Sequence, residues 1–303
     1  MPVAILPIIL IVAIGFLVES RRPLDVRALS TITIYVTLPA LIFTSLLTTE
    51  LTLGEAAPLI AVVLVLTGAL WLLGKGICRL RRLDREEESF LLLSTLFMNA
   101  GNMGMPIALY AFGERGLDLA VLWVLVINSL MNTVAVYYAS RHQGGGRQAL
   151  RTVLGLPTIY AAAAALLMRG LHLGLPPFLL EPLKLLGRST IPLAQVLLGV
   201  QLAKARAQVS LHLPGVLLPN LIRLVLSPLL AFGLVGLFGL HGTTAKVAVL
   251  LAAMPTAVNI AIYTTEFSLQ PRRIATAVFT STLASFATLS VLLTMLAAWG
   301  KAG

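Results

Sequence analysis

The sequence predicts an all-α integral membrane protein of ten transmembrane helices, arranged as an inverted 5+5 repeat with broken fourth and ninth helices. Three observations carry this. The 303-residue chain is 58% hydrophobic and 11% charged, with a mean hydropathy of +0.95, which leaves too little polar surface to cover a soluble core. Ten apolar runs of about bilayer-crossing length follow one another along it. Two proline-containing motifs recur at nearly constant spacing.

The runs cover about residues 3–18, 28–47, 55–74, 88–112, 117–140, 150–170, 183–203, 213–240, 245–266 and 272–299. The first lacks a basic leader and is long for the apolar core of a signal peptide, so it reads as a retained span. The second contains TLPALIFTSLL around Pro39. LDREEESF precedes the fourth and reads as a solvated helix start, with Asp84 capping and Glu86, Glu87 and Glu88 complementing the helix dipole. The fourth run itself contains MNAGNMGMPIAL. The fifth places Asn128, Ser129, Asn132 and Thr133 on one helical face. The seventh contains TIPLAQVLLGVQLA around Pro192, and the ninth AAMPTAVNIAI around Pro255. The tenth has a small polar face of Thr280, Ser281, Thr282, Ser285 and Thr288.

The connectors assign sides. Those after the odd-numbered runs hold fifteen of the 22 basic residues, while the opposite side holds Arg115, Arg169, Lys184, Arg188, Lys246 and Lys301. The positive-inside rule places the first set in the cytoplasm and both termini outside, in a multi-pass protein of the cytoplasmic (inner) membrane. Arg223, in PNLIRLVLSPLL of the eighth run, belongs to neither set. Its simplest reading is a snorkelling side chain; the functional alternative is a cation facing an internal cavity.

Pro39 and Pro192 lie 153 positions apart, Pro106 and Pro255 149. Both pairs imply one duplication, with halves at 1–141 and 148–303 meeting near RHQGGGRQ. Five spans per half force the second half to enter the membrane inverted, a plan typical of secondary transporters.

Asn99, Gly101, Asn102, Gly104 and Pro106 together oppose a continuous helix. Proline removes a backbone donor, and glycine weakens a helix by roughly 1 kcal/mol relative to alanine. An unwound segment facing lipid would leave its polar groups unsatisfied, so it has to be buried in protein or line a watery cavity. Pro255, Thr256 and Asn259 occupy the matching place in the other half. Crossed broken helices would present half-helix N-termini to an anion. The expected substrate contacts are Asn99, Asn102, Pro106, Pro255, Thr256 and Asn259, with Gly101, Gly104, Pro106 and Pro255 forming the crossing. Asn128 and Asn132 are further ligand candidates, although small polar faces also serve helix packing.

The other classes find little support. No basic stripe interleaved with aromatics marks a nucleic-acid surface. Cys78 is alone, and His142, His172, His212 and His241 fall in or beside connectors without metal-ligand spacing. No metal and no cofactor is expected. Glu266 reads as lying inside a span, near its cytoplasmic end, and an intramembrane enzyme lacks its catalytic groups.

GFLVESRRPLDVRALSTITIYVTLPALIFTSLL, NAGNMGMPIALYAFGERGLDLAV, LLGRSTIPLAQVLLGVQLA and AAMPTAVNIAIYTTEF resemble the auxin efflux carrier family, which includes plant PIN carriers and bacterial permeases annotated for malate or malonate. The similarity covers essentially the whole chain, and its most specific part runs from Asn99 to Pro106. The resemblance implies fourth and ninth helices crossing at Pro106 and Pro255. It further implies a scaffold unit (about 1–47 and 150–203) beside a transport unit (about 55–140 and 213–299), usually in a homodimer. Elevator-like transport of a small organic anion, auxin-like or malate-like, would follow. The long cytoplasmic loop of many plant members is replaced here by RHQGGGRQALR, which points to a bacterial-type member. A related fold in bile acid sodium symporters makes a sodium ion the alternative coupling partner.

The charge asymmetry predicts that, on a Cys78-free background, a cysteine at position 2 is labelled by impermeant reagent from outside and one at position 145 only after permeabilisation. The opposite pattern overturns the topology.

Overall fold

The computed structural model describes residues 5–139, 155–209, 214–261 and 270–299. The connector holding Gly144, Gly145 and Gly146, with Arg141, His142, Arg147 and Arg151, lies outside the described residues. So do His212, Glu266 and Lys301. Among the described residues the chain is helical, and its one extended feature is an isolated antiparallel pairing of Met98 with Thr256.

The helices are α1 (Leu6–Arg21), α2 (Val26–Thr48), α3 (Leu53–Arg81), α4 (Arg85–Leu96), α5 (Met105–Ala139), α6 (Pro157–Gly170), α7 (Pro177–Gln208), α8 (Gly215–Leu237), α9 (Gly242–Ala252) and α10 (Pro271–Ala298). Six stretches are long and apolar enough to cross a membrane: α2, α3, Ala100–Val134, α7, α8 and α10. The chain is a multi-pass membrane protein. The connector expected between the fourth and fifth runs shrinks to one residue, Gly113, whose φ of 70° turns the backbone out of its helical path inside α5. Glycine alone takes that conformation without strain. α6 starts at Pro157, with Leu156 extended ahead of it.

Local chemistry sets the ends. The Asp25 carboxylate accepts from the N–H groups of Arg27 and Ala28 at the start of α2. Asp84 accepts from the Glu87 N–H at 2.8 Å, as its capping position requires. Thr52 and Glu55 form a reciprocal capping box on α3. Glu88 reaches back to Lys75 at 3.0 Å and ties α4 to α3.

Prolines leave a second signature. The π-helical turns Thr33–Thr37, Ala100–Gly104 and Ile222–Leu226 each end two residues before a proline, Pro39, Pro106 and Pro228. A proline ring crowds the preceding turn and cannot donate, so the helix widens there. Pro192, in the middle of α7, is accommodated without such a turn.

Contacts sort the helices into two groups. α1, α2, α6 and α7 pack on one another, α7 being central, while α3, α4, α5, α8, α9 and α10 pack around the segments between α4 and α5 and after α9. Glycines set the closeness of the first group. A Cβ on Gly199 would meet Val12 O of α1 at 2.1 Å, and one on Gly15 would meet Val196 O at 2.3 Å. Gly187 similarly faces the Leu41 backbone of α2. Small residues are what allow helices to pack backbone to backbone in a membrane.

Gly199→Val is therefore expected to destabilise the protein by about 1–3 kcal/mol through overpacking, read as a lowered melting temperature of purified protein. Gly233→Ala, where an added Cβ meets nothing within 4 Å, should leave it unchanged.

Candidate functional site

Two helices stop midway and cross. α4 ends at Leu96, and the chain resumes as a helix only at Ala100. α9 ends at Ala252, and residues 253–259 are irregular. The two interruptions are pinned together as a short antiparallel pair. The Asn99 N–H donates to Pro255 O at 2.8 Å, and the Ala257 N–H donates to Phe97 O at 2.9 Å. Thr256 locks the joint from three sides: its backbone pairs with Met98, its hydroxyl donates to Ser94 O at 2.9 Å, and its N–H donates to Ser281 Oγ at 3.3 Å. Trp123, fully buried, donates its indole N–H to Met98 Sδ at 3.2 Å.

The two glycines of the motif serve different ends. A Cβ on Gly104 would strike Leu251 Cδ2 of α9 at 2.6 Å, so Gly104 allows the broken helices to approach. Gly101 faces open space and lines a cavity. Pro106 follows the π-helical turn Ala100–Gly104 and is the second residue of α5.

That cavity, of about 400 Å³, lies between the two helix groups. The crossing and α5 supply Asn99, Gly101, Asn102, Asn128, Asn132 and Asn259; α2 and α7 supply Ser30 and Thr190. Pro106, Pro255 and Thr256, expected to touch substrate, are not among its lining residues and instead build the crossing. The Nδ2 groups of Asn99 and Asn102, the Ser30 hydroxyl and the Thr190 hydroxyl are buried at this cavity without a hydrogen-bond partner. Natural proteins leave few such groups, and four of the eleven such atoms among the described residues belong to residues lining this one cavity. At the start of the helical stretch at Ala100, the Ala100 N–H donates to Met98 O at 2.8 Å and the Met103 N–H to Asn99 O at 3.3 Å.

Gly155 and Thr158, at the start of α6, also line the cavity. A neighbouring hollow of about 800 Å³ shares Ser30, Ile34 and Tyr35 and carries Arg27 and Lys204. Among the described residues no carboxylate lines either space.

Arg223 neither snorkels nor faces these spaces. It is fully buried, against the snorkelling expectation, and its guanidinium reaches the far side of the crossing. Nη1 donates to Thr95 O at 2.7 Å; Nη2 donates to Ala252 O at 2.6 Å and to Ser227 Oγ. The reading of the sequence also passed over Asp118, which lies within α5 and accepts from Ser45 of α2. Ser30 and Thr190 were missed as well; the only pointer to Thr190 was its position two residues before Pro192 in the repeated motif. Among the described residues no group of three or more His, Cys, Asp or Glu side chains is placed to hold a metal ion.

The chain matches the family described as membrane transport protein over residues 2–149 and 146–293. It is 26% identical to an uncharacterized transporter of Methanothermobacter thermautotrophicus over 297 residues, covering 94% of this chain and 95% of that one. It is 27% identical to an uncharacterized transporter of Methanocaldococcus jannaschii over 234 residues, 76% of this chain and 72% of that one. The chain belongs to the membrane transport protein family, the family of PIN-like carriers that its sequence resembles.

Proposed function

We propose that this membrane transport protein carries a small organic anion, a carboxylate of auxin-like or malate-like size, across the cytoplasmic membrane and binds it where the two broken helices cross. The observation that carries this reading is the pair of unpartnered carboxamide donors, Asn99 Nδ2 and Asn102 Nδ2, at the N-terminal end of the helical stretch that starts at Ala100. A carboxylate placed there accepts from both amides and meets the positive end of the helix dipole. Asn128 and Asn259 line the same cavity, as does Asn132, whose Nδ2 already donates to Asn128 O at 2.7 Å. Arg27 and Lys204, in the adjoining hollow, would raise the local anion concentration at the entrance. A cavity of about 400 Å³ suits a molecule of that size.

The grouping of helices supports an elevator-type cycle. The scaffold unit would be α1, α2, α6 and α7, and the transport unit the remaining six helices, with the cavity on the boundary between them. Ser30 and Thr158 on its lining belong to the starts of α2 and α6, the side that the charge asymmetry assigns to the cytoplasm. The protein would work as a homodimer, each protomer with its own site.

A thermal-shift screen of mono- and dicarboxylates on purified protein identifies the anion. With the best ligand, Asn102→Ala and Asn259→Ala should each lose a hydrogen bond to a charged group, about 1.5–3 kcal/mol. That corresponds to a roughly ten- to hundredfold weaker affinity. Pro255→Ala should impair transport of every anion alike, because it acts on the crossing. Wild-type affinity in both asparagine variants overturns the site.

Because no carboxylate among the described residues lines the cavity, transport in proteoliposomes should follow the anion gradient and the imposed membrane potential. Strict dependence on a proton gradient with no response to potential counts against this, and Glu266 is then the first residue to replace.

A further inference from the structure

The transport reading leaves Arg223 unused, yet it is the most unusual side chain in the protein: a fully buried cation on an apolar helix. All its acceptors are neutral oxygens, Thr95 O, Ala252 O and Ser227 Oγ, and Ser227 itself donates to Ala252 O at 2.8 Å. Thr95 lies in the last turn of α4, and Ala252 is the last residue of α9. The guanidinium therefore bridges the C-terminal ends of both half-helices. Each such end carries about half a negative charge, so the two converging ends present roughly one unit, matched by the single positive charge of arginine.

Half-helix C-terminal carbonyls meeting inside a membrane are the kind of oxygen cage that holds a coupling sodium ion or proton in broken-helix transporters. Here a side chain of the protein reaches into that cage. We propose that Arg223 is a tethered cation, occupying a monovalent-cation site formed by Thr95 O, Ala252 O and Ser227 Oγ. It keeps the crossing charge-balanced without a dissociable ion. α8 packs in the same group as α4 and α9, so the bridge travels with the crossing instead of breaking when the groups shift. Arg223 is absent from the lining of the anion cavity and acts as a positioning residue. The consequence, independence of anion transport from sodium, rests on the transport reading; the test of the cation site does not, because it uses no organic anion.

Purified full-length protein is melted in chloride salts of sodium, methylguanidinium or choline at matched ionic strength. The wild type should respond to sodium and methylguanidinium no more than to choline. Arg223→Ala should melt several degrees lower and recover part of the loss, saturably, in millimolar methylguanidinium or sodium but not in choline. Arg223→Met, which keeps the length without the charge, should fall without recovery, and Arg223→Lys should retain more stability than Arg223→Met. The proposal is overturned by a sodium-specific stabilisation of the wild type, by an Arg223→Met protein as stable as the wild type, or by an Arg223→Ala protein that no small cation restores. If Arg223→Ala does not fold, the lysine and methionine variants decide, and equal melting temperatures overturn it.

Discussion

A helix that stops inside an apolar medium leaves backbone carbonyls and N–H groups that water cannot satisfy, and this constraint organises the structure around residues 97–104 and 253–259. The last turn of any helix has four such carbonyls and the first turn four such N–H groups. Here the C-terminal ends of α4 and α9 receive donors from Arg223, Ser227 and Thr256, whose hydroxyl meets Ser94 O. The strand-like pairing of Asn99 with Pro255 and of Ala257 with Phe97 uses the groups between. Burying an arginine costs several kcal/mol, and the three oxygens converging on it are what make that burial tolerable.

The solution separates charge. Negative helix ends lie on the Arg223 side of the crossing, already neutralised, while the N-terminal end at Ala100 faces a cavity whose amide donors are unpartnered. One face of the crossing is thus closed chemistry and the other open chemistry. On the proposed reading an anion would be the complement of the open face, and a second cation would find the closed face occupied.

Much of this was legible in the sequence. Asn99, Gly101, Asn102 and Pro106 announced a broken helix because each weakens the helix for a different physical reason, and Pro255 announced its partner by spacing. The division of labour within the motif was not legible. Gly104 and Gly101 look alike in sequence, yet one faces Leu251 and the other a void, and only packing decides that. Thr256 looks like a ligand and is a fastener, since its three partners come from Ser94, Met98 and Ser281, distant in sequence. Arg223 was misread because snorkelling is the usual fate of a lone arginine in an apolar helix, and its oxygen partners are backbone groups that no residue pattern advertises. The connectors were overestimated between the fourth and fifth runs, where a single positive-φ glycine suffices.

The boundary between the two helix groups includes two polar ties among the described residues: Ser45 to Asp118, and Arg188 to Glu114 at 3.4 Å, the latter pair largely exposed. Exposed ion pairs contribute little because water screens them. Both ties lie toward the ends of α2, α5 and α7 that are remote from Ser30 and Thr158. Within each group, by contrast, the contacts are of the costly kind: backbone against backbone at Gly15, Gly187 and Gly199 in one, and the Arg223 bridge with the Met98–Thr256 pairing in the other. Strong joints inside two bodies and weak ties between them are what alternating access by rigid-body displacement needs, since the crossing has to keep its shape while its surroundings change.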